Sequence, residues 1–224
     1  MREIMSQEQI MDLLDRLYEQ SIRGVQKVSP PVAELAKEYI DKNGSSESAA
    51  RSFIHYQAAK CMTSGFLTGL GGLITLPVAI PANVGSVLYV QMRMIAVLAH
   101  MGGYDTNSDQ VRTLVYVCLA GISIDQVLKQ VGINIGNKVA LQMVKKIPGE
   151  VLTRINQRVG FRLLTKFGTK GAINIGKAVP VVGGVIGGGF DFVETKAIAS
   201  RAYSLFIEGN ELEYEKKIEE KLKE

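Results

Sequence analysis

The sequence predicts an all-α protein: a single domain of about eight or nine helices, in which two apolar helical hairpins rich in glycine and proline pack together. Three observations lead there. Apolar residues recur at steps of three and four between cap residues along most of the chain, no run alternates with period two long enough to make a strand, and residues 61 to 92 contain no Asp, Glu, Lys, Arg or His over 32 positions. That last stretch is long enough to cross a bilayer, for which about 20 apolar residues suffice. It is broken, however, by Gly65, Gly69, Gly71, Gly72, Pro77 and Pro81. Each proline removes a backbone donor and clashes with a preceding carbonyl, so a hairpin is expected in place of one straight helix, with Pro81 in the first turn of its second arm. Gly65 and Gly69, four apart, let backbones approach closely, which serves a soluble core hairpin and a lipid-inserted one equally.

Before the hairpin, Met11, Leu14, Tyr18, Ile22 and Val25 mark the apolar stripe of an amphipathic helix beginning near Ser6. Ser29-Pro30-Pro31 opens a second helix through Val32, Leu35, Ala36, Tyr39 and Ile40, stopped by Asn43-Gly44. Ser45 or Ser46 caps a third, with Glu47 in its first turn at the positive end of the helix dipole. After Pro81 a helix runs to Gly102-Gly103, Ser108 caps the next through Leu119, and Ser123 with Gln126 has capping-box spacing for one from Ile124 toward Ile147, broken by Pro148-Gly149.

From Glu150 to Lys170, Val151, Ile155, Val159, Leu163 and Phe167 step by four, and Arg154, Arg158, Arg162, Lys166 and Lys170 do so beside them. On a helix these form adjacent apolar and basic ridges, each drifting by about 40° per step. Such a pair suits a helix lying at a membrane interface, with cationic side chains reaching anionic headgroups; it equally suits a packed helix with a solvated basic face. Eight glycines fall between Gly168 and Gly189, and Pro180 opens a last long helix reaching Gly209-Asn210. The segments 80–99 and 179–202 rhyme, each with a proline, a glycine and one polar group on an apolar helix, Gln91 and Asp191, which are the buried polar candidates. The domain is placed at 1–208, followed by a charged, helical tail at 209–224.

The net charge of +4, with 46% hydrophobic and 21% charged residues, hides an uneven distribution. Residues 138 to 177 carry nine basic side chains against Glu150 alone, which implies an anionic partner. Nucleic acid is the weaker choice, because Phe161 and Phe167 are the nearby aromatics and no recognition motif surrounds them. Cys61 and Cys118 do not form a disulfide framework, and the N-terminal residues lack the apolar run of a secretory signal, so the cytoplasm or its membrane face is expected.

His55 and His100 stand alone in the sequence, so no metal site of the usual spacing can be drawn and no cofactor is expected. GAINIGKA at 171–178 imitates a phosphate loop, but Ala178 replaces the hydroxyl that would hold magnesium and no buried strand precedes it. Asp125 and Asp191 are acids in apolar helices, which more often cap or pair than catalyse.

The phrases GFLTGLGGLITLPVAIPANVGSVLYVQMRMIAVLAHMGGYD, INQRVGFRLLTKFGTKG and VPVVGGVIGGGFD, in that order, resemble the EcsC family of bacterial proteins over roughly residues 10 to 208. More distantly, the second-arm helix and VPVVGGVIGG are similar to the helical domain that follows the GTPase domain in some Era-like GTPases. The family's name comes from an operon that also encodes an ATP-binding-cassette transporter, so the resemblance implies a membrane setting and such a transporter as a partner; it carries over no catalytic residues. The expectation is a non-enzymatic, cytoplasmic protein docked on the inner face of the cell membrane or on a membrane protein, through the hairpin and the ridge of Arg154, Arg158, Arg162, Lys166 and Lys170. The alternatives are a hydrolase or lipid-binding protein with a pocket between the hairpins, using Asp191 and a histidine, and a soluble bundle that binds a protein partner.

Overall fold

A computed structural model of the chain describes residues 6–25, 29–61, 82–123, 126, 144–167 and 195–208. These residues form seven helices and no named strand: α1 (Gln7–Arg23), α2 (Val32–Asn43), α3 (Ser46–Cys61), α4 (Ala82–Met101), α5 (Asp109–Ala120), α6 (Gly149–Phe167), and α7, helical over 195–203 and closed by a π turn at Ser204–Glu208. The hairpin residues Gly65, Gly69, Gly71, Gly72, Pro77 and Pro81 lie outside the described residues, as do Asp125, Lys170, Asp191 and the charged tail.

Local sequence sets the helix ends. Ser6 and Gln9 form a reciprocal capping box, with Gln9 N–H donating to Ser6 Oγ at 3.1 Å and Ser6 N–H to Gln9 Oε1 at 2.7 Å. α1 stops at Gly24, whose φ of 74° lies in the left-handed region; a Cβ there would also run into the backbone of Ser29 and Pro30, because the chain turns back tightly through an isolated bridge between Val25 and Ser29. Gly44 closes α2 by donating to Ile40 O, and Ser45 Oγ caps α3 through Ser48 N–H. Ser108 Oγ caps α5 at Val111 N–H, and Ser123 Oγ accepts from Gln126 N–H at 3.3 Å, as its spacing predicts. Pro148-Gly149 marks the start of α6, with Pro148 O accepting from Val151 and Leu152 N–H.

α4 is the centre. It touches α1, α2, α3, α5 and the end of α7, and every residue from Leu88 to Ala99 is buried. The second arm of the expected hairpin is thus spent on the protein's own core from Leu88 onward. α5 is buried from Thr113 to Ala120, and α6 packs on α5 and α1. With each fully buried Leu, Ile or Phe worth about 1.5–3 kcal/mol, this single cluster supplies the drive for folding. The stripe of α1 differs from the one its spacing predicts: Met11 and Ile22 are only half-buried, while Ile10, Leu13 and Leu17 join Leu14 and Tyr18 in the core. The buried stripe is wider and rotated because α1 is covered on two sides, by α4 and by α6. No helix among the described residues is long and apolar enough to cross a membrane.

Candidate anion-binding face

The apolar ridge of α6 faces inward. Leu152, Ile155, Val159 and Leu163 are buried and Val151 is half-buried, and Gln7 of α1 donates through Nε2 to Gln157 O at 2.5 Å. Since one helix cannot spend the same stripe twice, this ridge is not free to enter lipid. The basic ridge faces out. Arg154, Arg158 and Arg162 are exposed, and among the described residues no carboxylate pairs with them. Lys166 lies on α6 with its side chain outside the described residues.

A large apolar side chain interrupts these cations. Phe161 is 64% exposed, and with Tyr56 at 48% it is one of two large hydrophobics left in solvent among the described residues. Phe161 follows Arg158 by three residues and precedes Thr165 by four, so they are neighbours on one helix face, with Arg154 a further turn along. The outer face of α6 is therefore cationic with one aromatic projection, while α1 to α3 carry their charges in i,i+4 pairs such as Arg16–Asp12 at 2.8 Å and Arg51–Glu47 at 2.8 Å.

Beside this face a cleft of about 420 Å³ opens between the C-terminal end of α5, α6 and α7. Arg162, Thr165 and Arg201 line it together with Gly121 and Ile198. Thr165 Oγ1 donates to Arg162 O at 2.8 Å, which keeps its hydroxyl oxygen as an acceptor tied to the α6 backbone. Arg201 Nε is buried and has no hydrogen-bond acceptor among the described residues. A buried donor left so costs about 1–3 kcal/mol.

Several other polar groups of the interior hold helices to one another, although Arg112 Nε and Asn156 Oδ1 are, like Arg201 Nε, buried without a partner among the described residues. Gln91, 2% exposed, donates through Nε2 to Thr195 Oγ1 at 3.2 Å and ties α4 to α7. Arg93, 7% exposed, donates through Nη1 to Ser21 O at 2.7 Å and through Nη2 to Pro30 O. Burial holds its guanidinium below the ordinary arginine value, with Tyr89 one turn away opposing that shift. Between α1 and α5, Tyr116 Oη donates to Asp15 Oδ1 at 2.6 Å, Tyr18 Oη to Thr106 O at 2.7 Å, the two rings meet edge to face at 5.8 Å, and Arg112 lies over the Tyr18 ring at 5.4 Å. Burial raises both phenol pKa values well above the usual tyrosine range, Tyr116 further because it also bonds to Asp15. On the other side, Arg51 Nε donates to Tyr203 Oη at 3.0 Å and links α3 to α7.

His55 is exposed, His100 half-buried and Cys118 buried, and among the described residues no group of three His, Cys, Asp or Glu side chains is placed to hold a metal. Gln91 stands out in the sequence as a polar group on an apolar helix; Arg93, the one Asp, Glu, Lys or Arg between residues 61 and 104, carries as strong a signal of its own. Arg201 gives a similar signal by interrupting the apolar pattern of Ile198, Ala202 and Leu205.

Compared with models of known families, residues 44–207 match the EcsC protein family. The match includes all three phrases on which the resemblance rested and starts at Gly44, after α1 and α2. No curated protein and no solved structure matches the chain.

Proposed function

The chain belongs to the EcsC protein family, and we propose that it is a non-catalytic accessory protein that lies peripherally on an anionic membrane surface, the inner face of the cell membrane, through the outer face of α6. The observation that carries this reading is the exposure of Phe161 among Arg154, Arg158 and Arg162. An aromatic ring left in water, with cations on its own face that no carboxylate among the described residues pairs, suits the headgroup region, where the ring enters the interfacial layer while the guanidinium groups meet phosphates. Each cation near such a surface contributes about 1 kcal/mol, so three arginines and one ring give reversible binding, not insertion. The membrane setting implied by the family resemblance supports the same reading.

Sedimentation with vesicles tests it. Phosphatidylglycerol-containing vesicles should carry the protein down at low salt, phosphatidylcholine vesicles should not, and added salt should release it, because headgroup attraction is screened beyond about 10 Å at 0.1 M. Equal binding to neutral and anionic vesicles would overturn the proposal.

A further inference from the structure

We infer that the cleft between the C-terminal end of α5, α6 and α7 is a binding site for a phosphate ester carried on an apolar chain, held by Arg162 and Arg201 with Thr165 beside them. This goes beyond surface docking by α6 and is separable from it, because Arg154, Arg158 and Phe161 do not line the cleft.

The side chains name the ligand's polar half. Two guanidinium groups from different helices line one cleft, and no acidic side chain is among its described lining residues. Arginine has only donors, in a planar fork that matches phosphate oxygens two at a time. Arg201 is the more telling of the two. Its Nη1 lies 3.7 Å from where a Cβ of Gly121 would stand, so it lies over the end of α5, where the negative end of a helix dipole could by itself explain a cation. Yet the end of α5 is already closed by its own backbone: Gly121 N–H donates to Cys118 O and Ile122 N–H to Val117 O, each at 3.1 Å. Arg201 Nε takes up neither carbonyl and stays buried without an acceptor among the described residues. An anion in the cleft offsets the charge of that guanidinium.

The cleft's size and floor name the apolar half. About 420 Å³ lies within the range of ligand sites, about 300–1,000 Å³, and far exceeds the about 30 Å³ share of one water molecule. The surface lining it is more apolar than polar, with Ala197 half-buried at its edge and Leu119, Ala120 and Ile198 packed beneath, so beyond the arginines the space suits hydrocarbon better than a second charge.

Calorimetric titration of the full chain tests this, with dihexanoyl phosphatidic acid kept below its micelle concentration, inorganic phosphate, and dihexanoyl phosphatidylcholine as probes. Phosphatidic acid should bind with saturation at one site. Arg162→Gln, at an exposed position that leaves folding intact, and Arg201→Gln should each weaken it by about tenfold or more, whereas Arg154→Gln should leave it unchanged. Inorganic phosphate binding as tightly as the lipid would overturn the apolar half and identify the free ion as ligand. Absence of binding by all three probes, or wild-type affinity in Arg162→Gln, would overturn the site. Loss of vesicle sedimentation with short-chain lipid binding intact would instead strike the α6 surface and leave the cleft standing.

Discussion

Arg93 Nη1 donates to Ser21 O at 2.7 Å across the core, from the middle of α4 to the last turn of α1. A cation at that place meets the negative end of the α1 dipole and a carbonyl that the helix leaves without a partner, while its other nitrogen holds Pro30 O in the turn that follows. One side chain thus fixes where α1 ends and how the chain turns into α2.

Replacing Arg93 by Met keeps its bulk but strands both carbonyls in the core. The expected loss is about 2–4 kcal/mol of folding free energy, read as a lower urea midpoint at unchanged slope. Arg93→Lys should recover part of it, since an ammonium reaches one carbonyl more readily than two. A midpoint equal to wild type for Arg93→Met would remove the clamp from the account.

The buried phenols make the fold sensitive to alkali. Tyr18 and Tyr116 hold their protons more tightly folded than unfolded, first because of burial and, for Tyr116, also through Asp15. A raised folded pKa means that this stability is complete below the unfolded value of about 10 and is lost as pH climbs above it, at up to about 1.4 kcal/mol per pH unit for each tyrosine. Tyr116→Phe should cost about 0.5–1.5 kcal/mol at neutral pH through the lost bond to Asp15 and should flatten the decline above pH 10. Urea midpoints of both proteins across that range check it; parallel curves would count against the buried Tyr116.

Two glycines at helix contacts should respond differently to alanine. A Cβ on Gly102 would collide with the carbonyl of Phe206 at the end of α7, where backbone must move, so Gly102→Ala should cost about 1–3 kcal/mol. A Cβ on Gly160 would meet Gln7 Cγ at 2.9 Å and Met11 Cγ and Sδ at 3.3 Å, which are flexible side chains, and alanine favours the helix by about 1 kcal/mol. Gly160→Ala should therefore be near neutral. Thermal melts of the two variants separate these outcomes.

Phe161→Ser should leave stability within about 0.5 kcal/mol of wild type, because the ring is exposed, and yet weaken sedimentation with anionic vesicles. Arg154→Gln with Arg158→Gln should also weaken it and lessen its salt dependence. Unchanged sedimentation in either variant, measured at matched protein and lipid, would speak against the α6 face.

What the sequence made legible were the features that a few neighbouring residues decide alone. Ser108, Ser123, Gly44 and Pro148-Gly149 act where they stand in the chain, and the two ridges of α6 emerge from spacing. What it hid were choices made by distant partners. The rotation of α1 depends on being covered by both α4 and α6, and the apolar ridge of α6 read equally well as a membrane face until α5 and α1 are seen to occupy it. Arg93 looked like the edge of an apolar run because its acceptors are backbone carbonyls 63 and 72 residues away, which no side-chain pattern announces. Arg201 and Arg162 share a cleft only through the approach of α7 to α6.

The protein contains no tryptophan, so Phe161→Trp places a single reporter at the point where α6 is held to touch the membrane, and Tyr56→Trp places one at the other exposed aromatic as a control. Emission should shift to the blue, and be quenched by brominated acyl chains, when the Phe161→Trp protein meets phosphatidylglycerol vesicles at low salt; phosphatidylcholine vesicles should have no effect. No shift at position 161, or a shift at position 56 in its place, would contradict the assignment of α6 as the membrane-facing surface.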